Sequence, residues 1–158
     1  MKNNKEIHVN HLWSDRKQEG LKDFILLHSK KQSDERKLRN ELLSIQFQIE
    51  DYITSNNYNT KLKILDFIKM YLKTLNVTQK KLADLFEMKD SNLHKYLIGE
   101  RKLNANIVLK LSSFSHTTPE HWLRVQVKNE LIEISKEREN TGKYQKYDYR
   151  NLLVAAEG

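Results

Sequence analysis

Residues 77–101, VTQKKLADLFEMKDSNLHKYLIGER, decide the fold of the central part of this chain. Thr78 can cap a short helix, because its side-chain oxygen is placed to accept a hydrogen bond from a free amide of the first turn. The apolar spacing predicts two short helices whose inward faces are Leu82, Ala83 and Phe86, then Leu93, Tyr96 and Leu97. A tight turn at 87–88 joins them, so the helices must cross steeply, and Ala83 supplies the small side chain that this crossing requires.

This segment resembles the helix-turn-helix of the Cro/repressor (XRE) family. The matching residues are Gln79 at the start of the first short helix, Ala83 at the crossing, Leu93 in the second helix, and Gly99 and Arg101 after it. The resemblance implies that the second short helix enters the DNA major groove and contacts bases near its N-terminal end.

The resemblance continues to about residue 134, where the chain is similar to the HigA-type antitoxins of the same family. Their loop and following helix match Ile98-Gly99-Glu100-Arg101 and Ile107, Leu109 and Leu111. Their signature before the last helix matches Thr117, Thr118, Pro119, Glu120, Trp122, Leu123 and Gln126. We expect Thr118 to cap that helix, Pro119 to open it and Glu120 to favour its positive end. The family resemblance implies a dimeric repressor of its own operon that also neutralises an mRNA-cleaving toxin.

We predict an all-α fold, a five-helix repressor-like helix-turn-helix domain preceded by an N-terminal helical hairpin. Four glycines and one proline in 158 residues favour helices nearly throughout. The turn-forming stretch TSNNYNT, 54–60, predicts a domain boundary. The expected divisions are an N-terminal helical segment, 1–56, a DNA-binding domain, 60–135, and a C-terminal tail, 136–158.

The N-terminal segment has an apolar pattern of its own. A first helix is expected from about residue 15 to Ser29, and Ser33 is placed to cap a second one. The second helix carries a short heptad seam, Leu38, Leu42, Ile45, Ile49 and Tyr52. This seam fits packing on the preceding helix as a hairpin, or a dimer or partner interface. Trp122 is similarly large enough to lock the last helix to the core or to a second subunit.

The candidate DNA contacts are the polar side chains around the two short helices: Gln79, Lys80, Lys89, Asp90, Ser91, Asn92, His94, Lys95, Arg101 and Lys102. Asn92 suits adenine and Lys95 suits guanine, whereas Asp90 can accept a hydrogen bond from cytosine N4. Gln79, Lys80, Arg101 and Lys102 are placed for phosphates. A glycine is usual in the family at the turn position of Glu87, so a positive φ there would cost about 1 kcal/mol.

Charge and composition support this interpretation and exclude others. The net charge is +7, and residues 61–135 hold thirteen basic against eight acidic residues. A polyanion is therefore expected to meet the middle of the chain. The sequence has no cysteine, no apolar run of membrane-spanning length and no apolar leader at its N-terminus, which predicts a cytoplasmic protein.

Enzymatic and metal-binding functions are not indicated. His8 and His11 form an H-x-x-H, and His116 and His121 lie near an acid, but no further ligands stand at metal spacing. We expect no enzymatic activity and neither a metal nor a cofactor. In the tail, tyrosines alternate with lysines, which fits either single-stranded nucleic acid or loose packing on the chain's own domain.

Three function classes remain open. The first is a repressor that is also an antitoxin, with operator DNA, a toxin and a second copy as partners. The second is a plain DNA-binding regulator without a toxin. The third is a protein-interaction module that has lost DNA binding.

Overall fold

The computed structural model describes residues 15–139 and 141–157, and within these ranges every regular element is a helix. The helices are α1 (Asp15–Thr54), α2 (Ile64–Leu75), α3 (Gln79–Leu85), α4 (Asp90–Leu97), α5 (Ala105–Ser115), α6 (Pro119–Arg138), a 3-10 helix (Thr141–Tyr147) and α7 (Arg150–Glu157). The predicted all-α class is confirmed for these ranges. His8 and His11 lie outside the described residues. None of the described helices combines the length and apolar character that crossing a bilayer requires.

Helix α1 runs without interruption from Asp15 to Thr54, so the predicted N-terminal hairpin is wrong. Ser33, expected to cap a second helix, lies inside α1. Residues 29–41, SKKQSDERKLRNE, contain no glycine or proline and many strong helix formers. One serine inside a helix costs only about 0.5 kcal/mol, whereas a break would leave several backbone groups without partners.

The chain divides into two compact units. The boundary between them lies within α1, between Glu41 and Leu42. In the first unit the described side chains from Glu19 to Glu41 are all exposed, including those of Leu21, Phe24 and Ile25. The side chains described there therefore form no hydrophobic core.

The second unit contains the hydrophobic core, and the last part of α1 belongs to it. Ile45, Ile49 and Tyr52 are buried in this core, whereas Leu42 is half-buried and Leu38 is exposed. The last three residues of the predicted seam therefore pack within the chain, neither on a preceding helix nor at a free surface. The unit begins at Leu42 and not near residue 60, because these residues of α1 complete its core.

Trp122 lies at the centre of that core. Its side chain is fully buried, and its Nε1 donates a hydrogen bond to Ser115 Oγ at 3.1 Å. The Tyr71 ring lies 6.5 Å away between centroids. Of the two roles predicted for Trp122, it therefore has the intramolecular one and is not placed for a subunit contact.

The end of α1 is held by two polar residues of α6. Lys128 is buried, and its ammonium donates to the carbonyl oxygens of Tyr52 and Ser55 at the helix C-terminus. Positive charge is favourable there because terminal carbonyls lack helical partners. The Tyr52 hydroxyl donates to Asn129 Oδ1 at 2.5 Å and accepts from the Leu62 amide at 3.1 Å. Burial lowers the pKa of Lys128 and raises the pKa of Tyr52.

Helices α5 and α6 begin in different ways. The Asn104 side chain caps α5 by accepting from the Ile107 amide at 3.0 Å. Pro119 opens α6 as expected, but Thr118 makes no side-chain cap. Its hydroxyl instead lies 2.5 Å from His121 Nδ1. The start of α6 therefore depends on Pro119, Glu120 and this side-chain pair.

Candidate nucleic-acid interface

Helices α3 and α4 have seven and eight residues and are joined by the turn at 86–89. Thr78 caps α3 as predicted, since its Oγ1 accepts from the Lys81 amide at 3.2 Å. The predicted inward residues are buried, apart from the half-buried Tyr96: Leu82, Ala83, Phe86, Leu93 and Leu97. These contacts fix the position of α4 on α3.

The turn between them is the left-handed end of α3. Glu87 has a φ of 56°, which glycine tolerates and other residues adopt at a cost. The Met88 amide donates to the Ala83 carbonyl and the Glu87 amide to the Asp84 carbonyl, both at 3.0 Å. This pair of bonds is the Schellman arrangement, so the strain at Glu87 is balanced by satisfied backbone groups.

Gln79 connects the starts of both helices. Its Nε2 donates to Asp90 Oδ1 at 2.7 Å and lies 3.4 Å from His94 Nδ1. Three of the predicted contact residues are thus brought together on one exposed surface. The carboxylate of Asp90 is held by a neutral donor, which orients it and leaves its other oxygen able to accept from a ligand.

The face of α4 that is turned away from the core is centred on Ser91 and Lys95. At about 100° per residue, these two positions lie opposite Leu93 and Leu97, which are buried. Asp90 and His94 lie on one flank of this face, where they contact Gln79. Asn92 lies on the other flank. Asn92 and Lys95 are both half-buried, so both are less accessible than predicted.

The predicted cationic contacts differ in their partners. Within the described residues, no salt bridge involves Lys80, Lys89 or Lys95, so their charges are free for an anion. The Arg101 guanidinium lies over the Tyr96 ring at 6.0 Å. Lys102 instead lies 3.8 Å from a Glu130 carboxylate oxygen on α6 and is not joined to the Gln79 cluster by any contact.

Two contributions to this surface were missed in the sequence. Lys81 is exposed in the first turn of α3, beside the predicted Lys80. Lys110 of α5 donates to the Phe86 carbonyl at the end of α3. The signal for Lys81 was available, because the predicted inward face of Leu82, Ala83 and Phe86 leaves position 81 on the opposite side of α3.

The charge of this surface is nearly balanced. Residues 79–101 hold five lysine and arginine residues and four acidic ones, Asp84, Glu87, Asp90 and Glu100, all exposed. Elsewhere in the central segment, Lys128 is buried and Lys61 lies 3.2 Å from Glu133. Only part of the excess of basic residues counted from the sequence is therefore available to bind an anion. The placement of individual cations matters more than the net charge.

The histidines near α6 have structural surroundings. His121 lies between Thr118 and Glu50, with Nε2 3.3 Å from Glu50 Oε1, and His116 has a left-handed backbone at the end of α5. Across the described ranges, no three His, Asp or Glu side chains are grouped as a metal site requires.

No family model, no curated protein and no solved structure matches this chain. The resemblance to HigA-type antitoxins therefore stays a prediction from the motif residues, and the function has to be argued from the placement of side chains around α3 and α4.

Proposed function

We propose that this chain is a sequence-specific DNA-binding repressor whose α3 and α4 form a helix-turn-helix within the five-helix domain α2–α6. Helix α4 enters the major groove, and α3 lies across the backbone. The contact of Gln79 with Asp90 and His94 carries the proposal, because it fixes a polar side-chain array at the N-terminal end of α4. A groove-binding helix needs its base-contacting side chains held in this way.

The chemistry of the α4 face suits direct contact with base pairs. Lys95 has no carboxylate partner among the described residues and can donate to guanine O6 and N7. Asp90 can accept from cytosine N4 with its second oxygen. Lys80, Lys81 and Lys89 supply phosphate contacts, which position the helix but carry no sequence information.

The second part of the proposal is an antitoxin role. The chain would then belong to a HigBA-like toxin-antitoxin module and neutralise an mRNA-cleaving toxin. The first unit supports a protein partner, since Leu21, Phe24 and Ile25 share one side of α1 and are exposed. An amphipathic helix with such spacing is suited to an apolar groove on another protein.

A protein-interaction module without DNA binding is the second candidate. The nearly balanced charge of residues 79–101 favours it, because duplex DNA is bound largely through cations on its phosphates. The two candidates differ in one measurable property. Only a DNA-binding protein will shift a duplex and lose affinity steeply as salt rises.

The decisive experiment is a gel shift of the full chain with the duplex upstream of its own gene, and with a scrambled duplex of equal length. We expect preference for the first duplex and a salt dependence that corresponds to a few phosphate contacts, since only a few lysines are free. Lys95→Ala should weaken specific binding by about 5- to 150-fold, which corresponds to about 1–3 kcal/mol. Lys136→Ala on α6 is the matched control and should leave binding unchanged.

Absence of binding to either duplex at low salt would rule out the DNA-binding proposal and leave the interaction module. The antitoxin role is tested separately, by co-expressing the chain with the protein encoded next to its gene. Rescue of growth by the unchanged chain, lost in Leu21→Asp with Ile25→Asp, is the expected result. If the protein encoded next to the gene is harmless when expressed alone, the antitoxin role is wrong. The DNA-binding proposal is unaffected by that result.

A further inference from the structure

A cleft of about 180 Å³ lies between the start of α2, the end of α4 and the middle of α6. Its apolar walls are formed by Ile64, Tyr96, Leu97 and Ile98, and Gly99 in the loop after α4 also lines it. No residue of α3 takes part, so the cleft is separate from the polar cluster around the start of α4. Pockets for drug-sized molecules have about 300–1,000 Å³, so this cleft can hold only a small ligand.

Two side-chain amides of α6 hold the walls of this cleft in place. Asn129 Nδ2 donates to the Leu62 carbonyl at 2.9 Å, on the side of α2. Gln126 Oε1 accepts from the Leu103 amide at 2.7 Å, on the side of the loop that follows α4. The cleft is therefore formed by contacts within the chain. The Nε2 of Gln126 has no acceptor among the described residues, so it can donate to a ligand.

The charged side chains that line the cleft leave one cation without a partner. Glu133 Oε1 lies 3.2 Å from Lys61 Nζ, and Glu130 Oε1 lies 3.8 Å from Lys102 Nζ. Lys63 also lines the cleft, and it forms no salt bridge within the described residues. Three lysines and two glutamates leave a surplus of one positive charge, which one anionic group would match.

We propose that this cleft binds a small organic monocarboxylate with an apolar body. The carboxylate accepts from Lys63 Nζ and Gln126 Nε2, because charge-assisted hydrogen bonds are the strong ones. The apolar body packs between Ile64, Leu97 and Ile98, where it leaves water. An amine would fit less well, since both carboxylates of the cleft already have a lysine nearby.

The cleft is connected to the DNA-binding helix through the backbone. The Ile98 amide donates to the His94 carbonyl at 3.0 Å. The Arg101 amide donates to the Lys95 carbonyl, also at 3.0 Å. The loop that lines the cleft therefore also ends α4. A bound carboxylate adds a negative charge beside α4, so it should weaken duplex binding several-fold at low salt. This regulation, but not the ligand site, rests on the proposed function.

The test is a titration of the full chain with isocaproate, followed in backbone amide NMR spectra without DNA. We expect the amides of Leu97, Ile98 and Gly99 to shift, with a dissociation constant of about 1 mM for so small a ligand. Isocaproamide and isohexylamine have the same apolar body without the negative charge, and acetate has the charge without that body. Each of these three should bind about 10-fold more weakly or not at all.

Two variants remove the proposed donors in different ways. Lys63→Gln removes the cation that has no partner. Gln126→Glu keeps an oxygen for the Leu103 amide but replaces Nε2 by an oxygen that repels a carboxylate. Each should weaken isocaproate binding by about 10-fold or more. Lys69→Gln is the matched control, since Lys69 is exposed on α2 and does not line the cleft, and it should leave binding unchanged.

The ligand site is wrong if isocaproate shifts none of these amides, if the amide or the amine binds as tightly, or if binding survives both Lys63→Gln and Gln126→Glu. The regulation is measured by gel shift with saturating isocaproate, with isocaproamide as the control. An unchanged duplex affinity would overturn the regulation and leave the ligand site. A chain that binds isocaproate but no duplex would remove the proposed function, and the regulation with it, while the ligand site stands.

Discussion

Helix α1 changes its surroundings at Glu41 although its backbone does not change. Before that point Phe24 is 58% exposed, and the neighbouring apolar side chains are also accessible. After it Ile49 is fully buried, with Ile45 and Tyr52 beside it in the core of the second unit. The two parts have the same secondary structure and similar apolar spacing, so the difference lies in whether another element covers the apolar face.

The comparison separates two sources of helix stability. Residues up to Glu41 depend on local terms, namely intrinsic propensity and pairs of side chains three or four residues apart. Residues from Leu42 onward also gain from burial and from the buried Lys128 that caps their C-terminus. Because the local terms are small, substitutions before Glu41 should hardly affect stability, and substitutions in the core should affect it strongly.

The largest expected effect is that of Trp122→Ala. We expect a loss of about 3–5 kcal/mol in the free energy of unfolding, because the ring is fully buried and its removal leaves a cavity. It also removes the hydrogen bond to Ser115. Urea unfolding followed by circular dichroism measures the change.

Phe24→Ala is the matched control, an aromatic side chain truncated in the exposed part of α1. We expect a change within about 0.5 kcal/mol. Similar losses in the two variants would contradict the comparison, because they would show that Phe24 is covered as effectively as Trp122.

Much of the second unit was predictable from its residues, because the determining interactions are local. Thr78 and Pro119 mark the starts of α3 and α6, and the apolar spacing gives the buried faces of both short helices. The hairpin was not predictable in this way. Ser33 has the chemistry of a helix cap, but nothing in residues 29–41 forces the chain to turn, and the helix continues. The seam from Leu38 to Tyr52 indicated an apolar face without indicating what covers it.

At the candidate site, too, local features were predictable from the sequence and contacts between helices were not. The positive φ at Glu87 was indicated by the resemblance, because the family usually has a glycine at this turn position. The contact between Gln79 and Asp90 depends on how α3 and α4 cross, which the sequence does not specify. Lys128 was counted among the cations available to DNA, yet it is buried against the end of α1. Net charge by segment cannot distinguish a buried ammonium from an exposed one.

A smaller effect is expected from Tyr71→Phe, which tests whether the core tolerates an unsatisfied polar group. The Tyr71 hydroxyl is buried and has no hydrogen-bond partner among the described residues. Its removal should therefore raise the free energy of unfolding by about 1 kcal/mol at neutral pH. The equivalent change in the exposed part of the chain, Tyr144→Phe, should have no effect.

The gain from Tyr71→Phe should increase at alkaline pH. Burial raises the pKa of Tyr71 to about 12, whereas the phenol of an unfolded chain has a pKa of about 10. Between these values the unfolded chain binds fewer protons than the folded one, so the stability of the unchanged protein falls as pH rises. Tyr71→Phe has no phenol at this position and does not lose stability in this way. The difference in free energy of unfolding between the variant and the unchanged protein should therefore grow by about 2–3 kcal/mol toward pH 12. A constant difference across this range would show that the hydroxyl is hydrated.

The smallest effect is expected at the turn between α3 and α4, where the strain is local and not a matter of burial. Glu87 is exposed and has a φ of 56°, a conformation that costs an L-residue about 1–2 kcal/mol. Glycine avoids this cost but loses more entropy on folding, by about 0.5–1 kcal/mol. Glu87→Gly should therefore stabilise the chain by about 0.5–1 kcal/mol, measured by thermal and urea unfolding.

Glu87→Ala separates the backbone from the charge, because alanine removes the carboxylate but keeps the Cβ atom. We expect no stabilisation in this variant, since the strain is retained and Glu87 forms no salt bridge within the described residues. DNA affinity should respond differently, because it depends on the charge and not on the backbone. Both variants remove one negative charge beside α4, so both should bind a duplex slightly more tightly at low salt. Equal stabilisation by glycine and alanine would attribute the effect to the carboxylate and show that the turn is unstrained.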